Sequence, residues 1–145
     1  MASRCAFCVA LFFFVVAMFS GAQEQKAKEV KRAPAPITSA ASGKDMFVSY
    51  CASCHGTDAK GDGPAASALS VAPADLTGLA RKNGGKYPAM RVTSVLRGEA
   101  NLAAHGNKEM PVWGPVFFRM SGGHEGEVTQ RISNLNRYIE SLQAK

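Results

Sequence analysis

The strongest constraint on the fold is a five-residue stretch, Cys51-Ala52-Ser53-Cys54-His55. C-x-x-C-H is the attachment signature for covalently bound haem. Two thiols at this spacing can each add to a haem vinyl group and form thioethers. The imidazole that follows lies on the same side of the turn and can bind the iron. Other uses of a cysteine pair fit less well. A zinc site lacks its second ligand pair, because the only other cysteines, Cys5 and Cys8, stand in an apolar leader. A thioredoxin-like dithiol needs a βαβ setting, and no such pattern occurs. A plain disulfide is the remaining alternative.

The leader runs from residue 1 to 22. Arg4 gives a short positive start, Cys5 to Phe19 is unbroken apolar sequence, and Ser20-Gly21-Ala22 offers small residues for a signal peptidase. The sequence favours cleavage, with a mature chain from Gln23. An uncleaved anchor is the rival, since the 18 residues from Cys5 to Ala22 are at the short end of what spans a bilayer. Residues 23–42 read as a flexible linker. Gln23 to Arg32 is charged, Ala33-Pro34-Ala35-Pro36 stiffens the chain, and Ile37 to Ser42 is small and polar, so the stretch cannot bury enough surface to fold alone.

Residues 43–145 form the expected domain. Its charge is mild: twelve Lys/Arg against nine Asp/Glu, although the whole chain carries +6. No basic helix interleaved with aromatics occurs, which argues against a nucleic-acid partner. Gly43 to His55 reads as a helix entering the motif, capped by Ser42, with Phe47 and Cys51 on one face. Val128, Ile132, Leu135, Tyr138, Ile139 and Leu142 recur at three- and four-residue steps and predict an amphipathic helix, with Arg131, Arg137 and Glu140 on its wet side. Gly43 would let another helix approach closely. Tyr87 to Arg97 predicts a third helix, with Pro88 in its first turn and Gly98 at its end.

These residues carry a resemblance. The chain resembles a class I cytochrome c, in which a Gly and a Phe precede the first haem cysteine by eight and four residues; Gly43 and Phe47 hold those offsets. Leu135 and Tyr138 match the pair that the family's last helix lays across the first. The resemblance implies a small all-α fold around one covalently bound haem c per chain. It also implies that a Gly-Pro after the haem histidine supplies a carbonyl to that ligand's Nδ1, a role that falls to Pro64. Pro73-Ala74-Asp75-Leu76-Thr77 resembles a further loop of the family, without a derived role.

Six side chains compete for the second axial position: Met46, Met90, Met110, Met120, His105 and His124. Met46 lies in the first helix on the proximal side. Met90 reads as a core residue of its helix, and His124 sits in a glycine-rich turn. Met110 is followed by Pro111, the distal-ligand pattern the resemblance implies, and Pro111 and Pro115 are expected to hold this loop out of helix. His105 is the alternative. The functional expectation is an exported, periplasmic, monomeric monohaem carrier that passes single electrons between redox proteins, with a membrane tether if the leader stays. Its rivals are an open-site haem enzyme or gas sensor, and a haem subunit of a larger dehydrogenase or oxidase.

Overall fold

The structure is a computed structural model of the chain and describes residues 34–100 and 110–144. The expected leader, most of the linker and His105 lie outside those residues. Among the described residues the chain is helical and has no strand. The helices are α1 (Gly43–Tyr50), α2 (Ala52–His55), α3 (Leu79–Lys82), α4 (Ala89–Arg97), α5 (Trp113–Met120) and α6 (Glu125–Ser141), with a 3-10 turn at Ala66–Ala68.

The long helix α6 is the common support: α1, α4 and α5 all pack on it. Its buried face is Val128, Arg131, Ile132, Leu135, Asn136 and Ile139. The crossing with α1 is as close as the Gly43 position suggested. A Cβ on Gly43 would lie 2.2 Å from the Asn134 carbonyl oxygen, inside any van der Waals contact. One helical turn further on, Phe47 meets Tyr138 at a ring-centroid distance of 5.4 Å, and Phe47 and Leu135 are fully buried. Ser42 caps α1 by accepting from the Asp45 amide at 3.1 Å. The predicted single helix through His55 is broken at Cys51, whose backbone (φ −110°, ψ −35°) separates α1 from α2. Gly98 ends α4 in the left-handed conformation, at φ 79°.

Four expectations are corrected by the packing. Arg131 is on the apolar face of α6, only 4% exposed. Its guanidinium pairs with Glu127 at 2.7 Å, donates to the Thr38 carbonyl at 2.9 Å, and lies 5.9 Å from the centre of the Phe117 ring. Each of the three guanidinium nitrogens has a partner, which is the condition for burying a charge.

The second correction follows from the same contact. The end of the expected linker belongs to the domain. The Tyr50 hydroxyl donates to the Pro36 carbonyl at 2.7 Å, and Asn134 donates to the Ala40 carbonyl at 2.8 Å. With the Arg131 bond to Thr38, three helix side chains hold three successive alternate carbonyls of this segment.

Met90, third, is 86% exposed and not a core residue. In α4, Val92, Val95 and Leu96 line the central cavity and Ala89 and Thr93 meet α6, which leaves Met90 on the outer side. Fourth, Pro115 is inside α5, in its first turn. The first four N–H groups of a helix have no partner within it, so a proline costs little there.

Candidate haem site

Site geometry starts from α2. His55 closes that short helix, and Gly56 ends it at φ 77°. The Cys54 and His55 amides both return to the Cys51 carbonyl, at 3.1 and 2.8 Å. Both cysteines and the histidine therefore sit on one tight turn. Cys51, Cys54 and His55 line a cavity of about 420 Å³. Met110 and Pro111 line the same cavity. Aliphatic side chains fill in between: Leu69, Val71, Leu76 and Leu79 from the middle of the chain, Val92, Val95 and Leu96 from α4, and Ile139 from α6. The rim carries Lys82, Asn83 and Arg91.

His55 is 8% exposed, and its Nδ1 lies 2.9 Å from the Ala74 carbonyl. A carbonyl can only accept, so Nδ1 carries the proton and Nε2 carries the lone pair a metal needs. This corrects the role given to Pro64: the carbonyl at Nδ1 belongs to Ala74. The reason lies in how the intervening loop folds back. The amides on either side of Pro64 are tied to α2, Gly63 to the Cys54 carbonyl at 3.1 Å and Ala65 to the Ser53 carbonyl at 2.8 Å. The Pro73-Ala74 segment instead comes alongside Gly61, whose absent Cβ would lie 2.3 Å from the Pro73 carbonyl oxygen. Leu76 then anchors to the Ala59 carbonyl at 2.8 Å. The Pro73-to-Thr77 stretch, which had no role in the sequence, thus delivers the second bond that orients the histidine.

The Met110 side of the cavity is held by aromatics. Trp113 stacks on Tyr50 at 5.1 Å and lies 5.6 Å from Phe117, so the start of α5 is pinned to α1 behind the haem motif. The same segment is tight against the end of α4. A Cβ on Gly98 would lie 2.1 Å from Val112, and one on Gly114 would lie 2.8 Å from the Arg97 carbonyl oxygen. Met110 is therefore attached, through two residues, to a fixed point. Met46 is fully buried against Arg131, and His124 is an exposed residue preceding α6. Neither lines the cavity.

Burial pushes the Cys51 thiol up to about 12, with the neighbouring Cys54 adding to the rise. Such a site disfavours a thiolate and suits a neutral sulfur, which is what a thioether is. Among the described residues no cluster of His, Cys, Asp or Glu could hold a bare metal ion. A large apolar cavity, two cysteines on one turn and an oriented imidazole fit haem instead.

Residues 38–121 match the family model described as cytochrome c oxidase, cbb3-type, subunit III. The chain belongs to this family of c-type cytochrome domains. Comparison with curated proteins and with solved structures gave no match. A c-type cytochrome domain carries covalently bound haem c and works in electron transfer with redox partners. No described helix is long and apolar enough to cross a membrane.

Proposed function

We propose that the chain is an exported single-haem electron carrier in which His55 and Met110 hold the iron and Cys51 and Cys54 hold the porphyrin. The observation that carries this reading is that Met110 and a His55 already oriented by Ala74 line one apolar cavity with both cysteines. When bound, the haem supplies a one-electron Fe(II)/Fe(III) couple. The protein's part is positional. Ala74 fixes the imidazole tautomer, the Trp113 anchor holds the thioether loop, and the aliphatic walls keep water from the metal. A neutral thioether supports the reduced ion better than a second imidazole does, so His/Met ligation favours a higher potential. Export to the periplasm is supported by the apolar leader with its small-residue end. A second reading, a haem subunit of a larger oxidase, is favoured by the description of the matching family.

A visible spectrum of the purified haem protein tests the ligand pair. The oxidised protein should show the weak red band of a Met–Fe(III) bond, and the reduced protein should resist carbon monoxide at neutral pH. Met110→Ala should remove the band and admit carbon monoxide, while His105→Ala should change neither. The reverse pattern would give the site to His105. Rapid carbon monoxide binding by the unaltered protein would replace the carrier with an open-site enzyme or sensor.

A further inference from the structure

The segment ahead of α1 is fastened to two helices at once. Arg131 and Asn134 of α6 donate to the Thr38 and Ala40 carbonyls at 2.9 and 2.8 Å. Tyr50, the last residue of α1, reaches the same segment from the other helix. Its hydroxyl lies 2.7 Å from both the Pro36 carbonyl oxygen and Thr38 Oγ1. A carbonyl only accepts, so the phenol proton goes to Pro36 and the threonine hydroxyl donates in return. The Tyr50 side chain is buried. Its ring stacks on Trp113 at 5.1 Å, with an interplanar angle of 28°, and lies 5.8 Å from Phe117. Phe117 in turn lies under the Arg131 guanidinium. The contacts close a circuit that runs from Arg131 through Thr38, Tyr50 and Phe117 and back to Arg131.

We propose that Tyr50 is a positioning residue for Met110, acting through its hydroxyl, and that residues 36–40 are the fixed surface on which that hydroxyl docks. The inference rests on the reading of Met110 as the second ligand of the iron. Arg131 and Asn134 hold the segment to α6 without Tyr50, so the constraint runs from the segment to the ring. A phenol pinned at its oxygen is held in one orientation, and the indole stacked on it is held with it. That indole belongs to Trp113, the first residue of α5 and three positions after Met110. Tyr50 also precedes Cys51 directly, and both line the cavity. One side chain thus ties the turn that carries the cysteines to the loop that carries the thioether. Phenylalanine would supply nearly the same stacking area, and the hydroxyl adds the fixed point. A thioether supports Fe(III) less well than imidazole does, so freedom in the loop is read as easier displacement by an outside imidazole.

Titration of the oxidised haem protein with imidazole tests this, read from loss of the red Met–Fe(III) band. Tyr50→Phe should keep the band in the absence of imidazole. It should bind imidazole roughly three- to tenfold more tightly than the unaltered protein, the scale of one hydrogen bond. Asn134→Ala frees the segment at Ala40 without touching an aromatic ring, and should shift the affinity in the same direction by less. Tyr87→Phe is the control. It removes a phenol hydroxyl from a hydrogen bond at the α4–α6 crossing, and should lower the melting temperature while leaving the imidazole affinity unchanged. Equal shifts from Tyr50→Phe and Tyr87→Phe would reduce the Tyr50 hydroxyl to general stability and overturn the proposal. An unchanged affinity in Tyr50→Phe would also overturn it, with the ligand pair left intact. If Tyr50→Phe does not assemble with haem, Asn134→Ala decides on the same criterion. An unaltered protein without the red band would take Met110 off the iron, and this inference with it.

Discussion

The residues that set the haem histidine are not the ones nearest to it in sequence. His55 takes its Nδ1 partner from Ala74, nineteen positions away, because Gly61 leaves room for the Pro73 carbonyl. Gly61 also has φ 86°, a conformation that costs a residue with a Cβ about 1 kcal/mol or more. Gly61→Ala should therefore destabilise the haem protein by roughly 2 kcal/mol or more, from strain and from the forced displacement of Pro73. Denaturant unfolding measures the loss. The shifted imidazole resonances of the oxidised protein should move too, which a purely local strain would not cause. The C-x-x-C-H pattern was legible because its chemistry is contained within five residues. The Ala74 contact was not, because a backbone carbonyl leaves no mark in residue type. The burial of Arg131 was legible from its position, three residues after Val128 and four before Leu135 on the apolar stripe, although its charge points to the wet side.

At the scale of elements, two helix contacts carry the frame. The α1–α6 crossing was legible because glycine, phenylalanine, leucine and tyrosine at fixed offsets describe a close contact between two amphipathic helices. Phe47→Ala should cost about 3–5 kcal/mol, as for other large aromatic truncations in cores. A double-mutant cycle of Phe47 and Tyr138 should return a coupling of about 0.5 kcal/mol or more, consistent with rings 5.4 Å apart. Additive losses would mean the rings do not support each other. The α4–α6 contact runs instead through polar groups. Asn136 donates to the Ala89 carbonyl and the Thr93 hydroxyl, both at 2.8 Å, and accepts from Tyr87 at 2.6 Å. Asn136→Leu should cost about 1–3 kcal/mol by thermal unfolding, since it removes three side-chain hydrogen bonds from this crossing at once. Tyr87→Phe should cost less, because Asn136 keeps its two donor bonds. The polar centre of this crossing was illegible, because an asparagine adds nothing to an apolar periodicity even at a position four after Ile132. Pro115 shows the converse: proline signals the end of a helix only beyond the first turn.

For the whole molecule, the cavity is large relative to the core that surrounds it. Its lining is mostly apolar and would face water without the haem, so a large share of the domain's apolar burial depends on the cofactor. Cys51→Ala with Cys54→Ala, produced without haem, should lack cooperative unfolding and near-ultraviolet dichroism. A sharp melting transition in that variant would show that the helices stand without the cofactor. The residues of this cavity also differ in how far apart they lie along the chain. Both cysteines and His55 fall within five contiguous positions and share one local turn, whereas Met110 stands 55 positions after His55 and lines the same cavity only once the chain between them has folded.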